Sequence, residues 1–157
     1  MLHEPRAVTL ERMAEEEFRL FRAALLQAYA DELCEATGVT TEEAEAMADA
    51  HLEVPPEEYH AAVRIRDAST DEDVGVAWML IADGDAFLME FRIDAAHRGR
   101  GFGGAAMAEL EGLARRGGAN QIRLHVFARN APARALYERH GFETVSLQMR
   151  KRLDSDG

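Results

Sequence analysis

The sequence is short of cysteine, of long apolar runs and of positive charge, and each shortage removes a class of protein. Cys34 is the single cysteine among 157 residues. It excludes an internal disulfide and any multi-cysteine metal centre, and it fits a reducing, cytoplasmic setting. No apolar run reaches the ~18 residues that a membrane span needs. The opening Met1-Leu2-His3-Glu4-Pro5-Arg6 lacks the charged start and apolar stretch of a secretory leader. Lysine and arginine number 18 against 29 acidic residues, a formal net charge of −11. That balance disfavours nucleic acid as a partner. It would attract a cationic substrate, and it also serves solubility alone.

What is present suits one compact domain, expected over residues 1–157. Hydrophobic residues make up 47%, enough for a core. Ala7–Arg12 reads as a short strand. Ala14–Leu33 places Phe18, Phe21, Leu25, Ala28, Tyr29 and Leu33 at helical spacing, and Gly38 follows as a terminator. Thr40-Thr41-Glu42-Glu43 predicts a capping box for a helix reaching His51, and Pro55-Pro56 stops helical structure. Strands are expected at Tyr59–Arg66, Val74–Ala82 and Ala86–Ile93, with Asp83-Gly84-Asp85 as a hairpin turn. A helix over Gly103–Arg116, a strand over Gln121–Phe127, a helix over Ala131–His140 and a last strand over Glu143–Arg152 complete the chain. The order β, α, α, β, β, β, α, β, α, β predicts an α/β (α+β) fold, a mixed sheet covered by helices.

The most specific local signal is Arg98-Gly99-Arg100-Gly101-Phe102-Gly103-Gly104, between an expected strand and an expected helix. Its glycines let the backbone turn sharply and approach a ligand. The helix start that follows offers unpaired N–H groups and a partial positive charge, a site suited to pyrophosphate. Arg98 and Arg100 add fixed positive charge in an acidic chain. Gly103-Gly104-Ala105 lacks the Gly-Lys-Ser/Thr of a nucleotide P-loop. Gly101-Phe102-Gly103-Gly104-Ala105-Ala106 fits a dinucleotide fingerprint, but the acidic residue due ~20 positions on is missing.

The segment from Phe91 to Phe142 resembles the GNAT superfamily of N-acetyltransferases. Arg98 to Gly103 matches its Gln/Arg-x-x-Gly-x-Gly/Ala loop, and Phe91-Arg92-Ile93-Asp94-Ala95-Ala96-His97 looks like the strand leading into it. Leu124-His125-Val126-Phe127-Ala128-Arg129-Asn130 is similar to the family's fifth strand and its asparagine. Ala133 to Phe142 is similar to the tyrosine-bearing helix and closing Gly-Phe, and Met149-Arg150-Lys151-Arg152 to a last strand.

The resemblance implies a mostly antiparallel central sheet with helices on both faces and a splayed strand pair. It implies an enzyme that moves an acetyl group from acetyl-CoA to a primary amine by direct attack in a ternary complex, with no metal. Residues 86–142 would bind the cofactor, and residues 1–60 would shape the acceptor side. Gly99, Gly101, Phe102, Gly103 and Gly104, with Arg98 and Arg100, would hold the pyrophosphate. Phe91 and Ile93 would pair with the pantetheine arm. Asn130 would bond the pantetheine or cap the following helix. Tyr137 would give a proton to the departing thiolate, or fill the core. Glu90 would take the ammonium proton, or orient substrate, with His125, His60 and Glu58 as lesser candidates. Cys34 sits far in sequence from the loop, and Trp78 reads as core or pocket wall. The family is often dimeric, so a homodimer is an expectation. Other readings are a CoA-binding module without catalysis, a protein N-terminal or lysine acetyltransferase, and an interaction domain. Thiol release across a panel of amines separates them.

Overall fold

The computed structural model describes residues 5–154; the first four residues of the opening Met1–Arg6, which was read for a secretory leader, lie outside them. Five strands form one sheet: β1 (Val8–Arg12), β2 (His60–Asp67), β3 (Asp73–Ala82), β4 (Asp85–Ile93) and β5 (Ile122–Leu124). They lie side by side in chain order, antiparallel at the first three junctions and parallel between β4 and β5. Four helices are α1 (Glu15–Thr37), α2 (Thr41–His51), α3 (Phe102–Arg116) and α4 (Ala131–Arg139). Among the described residues no helix is long and apolar enough to cross a membrane.

Local chemistry sets the element ends. The predicted capping box forms: Thr40 Oγ1 accepts from Glu43 N–H at 3.2 Å, and Glu43 Oε2 accepts from Thr40 N–H at 2.9 Å. Gly38 ends α1 in the left-handed region, at φ 73°. Asp83 and Gly84, at φ 52° and 79°, make the two-residue turn joining β3 and β4. Two positive φ values give that turn the twist of the flanking strands.

Each face of the sheet buries its own layer. Val63, Ile65, Val74, Ala77 and Met79 meet Phe102, Ala106, Met107 and Leu110 of α3. The opposite face puts Ala62 and Trp78 against Phe18, Phe21, Leu25 and Tyr29 of α1. Trp78 is fully buried there, edge-on to Phe18 at 5.2 Å.

Two details of β4 depart from simple alternation. Trp78 pairs with Glu90 while Met79 pairs with Leu88, so Met89 is an extra residue, a β-bulge. The bulge moves the phase of the strand. Phe91, not Glu90, follows Leu88 into the core against α3. The second detail is β5, which pairs with β4 over only Ile122–Leu124 instead of the expected Gln121–Phe127.

The expected last strand over Glu143–Arg152 is corrected. These residues carry no ladder, because β5 stops at Leu124 and its outer edge faces a gap instead of the segment.

Candidate active site

The glycine-rich segment folds into a bare helix start. A short 3-10 turn over Ala95–His97 leads from β4, and Gly99 and Gly101 take φ of 71° and 88°. Gly101 is the N-cap of α3 and supplies no side-chain acceptor. Among the described residues, the amides of Gly99 to Gly104 donate to no protein acceptor. A Cβ at Gly99 would meet nothing within 4 Å, so the loop is open there. Free amides, a helix dipole and open space fit a pyrophosphate.

The two arginines also hold the loop together. Arg98 Nε donates to the carbonyl of Ile93 at 3.0 Å, tying the loop to the end of β4. The Arg100 guanidinium lies over the Phe102 ring at 5.3 Å, with Arg6 beside the same ring at 5.2 Å. Phe102 is buried and anchors the first turn of α3 in the core.

Beyond Leu88 and Leu124 the parallel pair splays, and a cavity of about 180 Å³ opens between β4 and the chain after β5. The inner edge of β4 from Met89 onward has no strand beside it. Its free backbone groups suit the amides of an extended arm. Phe91, Asn130 and Tyr137 reach this cavity, as do Glu90 and His125. Ile93 does not, but ends β4 beside the loop.

Glu90 takes one bond from the neighbouring Phe91 N–H, at 2.9 Å, and burial pushes its carboxyl above the usual range. Burial, and then the charge of Glu90, push the Tyr137 phenol up to about 12. The phenol therefore keeps its proton at neutral pH. Asn130 caps α4, its side-chain oxygen accepting from Ala133 N–H at 3.3 Å. Its amide NH₂ remains for a ligand.

Other candidates lie elsewhere. His60 is packed against Phe18 at 5.1 Å, and its Nδ1 is buried without a partner. Glu58 is exposed in the 3-10 turn before β2. Cys34 is half-buried against the α1–α2 cluster.

The fold also brings in residues not assigned to the site from the sequence. Tyr29 and Glu32 of α1, His51 at the end of α2, Phe87 of β4 and Phe127 all line the cavity. Tyr29 stacks on His51 at 4.8 Å, and His125 stands edge-on to Phe127 at 4.9 Å. Burial and the nearby His125 push His51 below its ordinary value, and burial raises Glu32. The wall therefore combines aromatic and imidazole rings with two carboxyl groups. Among the described residues, no lysine or arginine lines this cavity. Helical spacing marks Tyr29 only as a packing residue and no local pattern marks the others, because tertiary closure joins them.

A splayed parallel pair beside a bare, glycine-rich helix start defines an acyl-CoA-dependent acyltransferase. The model of the acetyltransferase (GNAT) family matches residues 12–142, and the chain belongs to that family. It is 32% identical over 155 residues to the N-acetyltransferase YdgE of Bacillus subtilis (strain 168), covering 94% of this chain and 99% of that protein. The crystal structure of YycN from Bacillus subtilis, a putative acetyltransferase, superposes with a TM-score of 0.80 at 30% identity. That match covers 95% of this chain and 100% of YycN. AAC(6')-Iy, solved with the bisubstrate analogue CoA-S-monomethyl-acetylneamine, shares the fold at a TM-score of 0.58 and 15% identity over 94% of this chain and 98% of that one. The protein is an acetyltransferase.

Proposed function

We propose that the chain is a single domain that transfers acetyl from acetyl-CoA to a compact amine bearing no carboxylate, and that it works as a homodimer. The α3 helix start and the open edge of β4 hold the cofactor side. Residues 1–60 supply Tyr29, Glu32 and His51 to the acceptor side. One observation carries the choice of acceptor: among the described residues, the cavity has rings and carboxyl groups on its wall but no lysine or arginine. Rings and carboxylates favour an amine with an apolar body. An amino acid's carboxylate would find no lysine or arginine among these residues to pair with, which is costly. The cavity of about 180 Å³ also takes the thioester end of the cofactor, so the space left on the acceptor side suits a compact amine.

The proton inventory follows from the site. An ammonium of pKa ~10.4 cannot attack until it loses a proton, and Glu90 accepts it. The freed nitrogen pair attacks the acetyl carbonyl carbon, and the C–S bond breaks with its pair on sulfur. Tyr137 donates its phenolic proton toward that sulfur, and the second nitrogen proton restores the tyrosine. The two residues are coupled. The charge of Glu90 helps to hold the phenol up near 12. Protonation of Glu90 removes that repulsion, so Tyr137 becomes the better acid after the base has acted. Asn130 orients the arm through its free amide.

A matched pair tests the acceptor. Phenethylamine and phenylalanine share a skeleton and differ in the carboxylate. The expected kcat/KM ratio favours phenethylamine by about 100-fold or more, the cost of one unpaired buried charge. Equal or reversed rates would overturn the acceptor reading. N-terminal peptides acetylated faster than both would favour a protein acceptor.

A further inference from the structure

The turn that leads into the cofactor loop carries a histidine set between opposite charges. The backbone holds this turn in place. Asp94 N–H donates to the Val74 carbonyl at 2.8 Å, and His97 N–H donates to the Asp94 carbonyl at 2.8 Å. The β2–β3 hairpin closes beside it, with Asp67 N–H donating to the Glu72 carbonyl at 2.9 Å. Glu72 stands immediately before β3, and its Oε1 lies 3.5 Å from His97 Nε2. On the other side of the ring, His97 Nδ1 lies 3.1 Å from a guanidinium nitrogen of Arg100. The imidazole is 11% exposed and stands edge-on to Phe102 at 6.0 Å.

The polarity of these contacts has one solution. A guanidinium only donates, so Nδ1 accepts from Arg100. A neutral imidazole has a single N–H, which then sits on Nε2 and faces the Glu72 carboxylate. Glu72 therefore favours the tautomer whose lone pair holds Arg100. Arg100 needs holding. It lies between Gly99 and Gly101, both in the left-handed region, where the backbone has most freedom. Its long side chain adds large rotamer entropy.

The manner of holding preserves the charge. A carboxylate against a guanidinium cancels its field, whereas a neutral ring does not. Asp67, the buried carboxylate at the end of β2, is occupied by Ser69, accepting from its N–H at 2.8 Å and from its hydroxyl at 2.7 Å. Among the described residues Arg100 enters no ion pair. A fixed and uncancelled charge beside the open amides of the loop suits a phosphate group. We propose that His97, oriented by Glu72, is a positioning residue that fixes Arg100 for the phosphates of CoA. Both residues lie outside the glycine-rich motif, and their role rests on the acetyl-CoA reading of that loop. His97 acts through Arg100, not on the ligand.

Calorimetric titration with CoA at pH ~8, where an ordinary imidazole of pKa ~6.5 is neutral, tests this on single and double variants, with thermal melts alongside. His97→Phe keeps a ring against Phe102 and removes the acceptor. It is expected to weaken CoA binding about 2- to 10-fold, the ordering entropy of one freed side chain. In an Arg100→Ala background the same substitution is expected to cost nothing further. His97→Asn returns an acceptor as many bonds from the backbone as Nδ1 and is expected to recover most of the loss. Imidazole nitrogen NMR of the free protein is expected to show Nε2 protonated and Nδ1 bare. An equal loss from His97→Phe in both backgrounds would mean simple packing and overturn the role. So would unchanged affinity in His97→Phe, a His97→Asn variant as weak as His97→Phe, or a protonated Nδ1. A wild type that binds no CoA overturns the loop reading and this role together, whereas the other four results, with wild-type binding intact, overturn the role alone.

Discussion

Gly103 separates cofactor binding from folding. It lies in the first turn of α3, and a Cβ there would meet only Leu136 Cδ1, at 3.6 Å, an ordinary contact. Gly103→Ala should therefore fold and gain up to ~1 kcal/mol of helix propensity. Gly103→Asp should fold as well, since an acidic residue in the first turn favours the helix dipole. Binding responds differently. A carboxylate ~5 Å from a doubly charged pyrophosphate costs ~1.7 kcal/mol in a water-like dielectric and several times more near a protein surface. Neutralising the helix end removes up to ~1 kcal/mol more. The loss is about 15-fold as a floor and ~100-fold or more as the expected value. Calorimetric titration with CoA, alongside thermal melts, reads both quantities. An aspartate variant that binds CoA as tightly as wild type would refute the placement of the pyrophosphate at this helix start.

Three further substitutions test the site and the sheet. Tyr137→Phe removes only the hydroxyl and should lower kcat about 10- to 1000-fold with little change in CoA affinity, measured by steady-state kinetics and titration. Glu90→Gln should slow turnover at neutral pH and recover partly as pH rises, whereas a purely orienting role would raise KM with a parallel pH profile. Burial raises the Glu90 carboxyl, so its contribution to stability is present below the unfolded value of ~4.3 and lost as pH rises through the higher folded value. The ionised form opposes folding at neutral pH. Glu90→Gln should therefore raise Tm at pH 7, with the gain shrinking below pH ~4. Gly75→Ala places a Cβ 2.2 Å from the Arg92 carbonyl oxygen, across the β3–β4 pair. Neither backbone can yield without breaking the ladder, so urea unfolding should show a loss of about 3 kcal/mol or more.

Much of the fold could be read from local signals. The Thr40 capping box, the Asp83-Gly84 turn and the Gly38 terminus are chemical instructions acting within a few residues. The glycine-rich helix start is of the same kind. What escaped depended on distant partners. A bulge at Met89 exists only against the register of β3, and it decides which way Glu90 and Phe91 point. The alternation over Val145, Leu147 and Met149 is plain in the sequence, yet a strand needs a neighbour, and the segment has none among the described residues. His51 and Glu32 look like ordinary helix residues; only the packing of α1 and α2 over the sheet turns them toward the cavity.

The most direct measurement is the stoichiometry of transfer. Wild-type protein is mixed with acetyl-CoA and phenethylamine, and free thiol is counted against N-acetylated product by mass spectrometry. One thiol per acetylated amine, with negligible release when the amine is omitted, is the predicted result. Thiol release that ignores the amine, or binding of acetyl-CoA with no transfer to any amine of the panel, would contradict it.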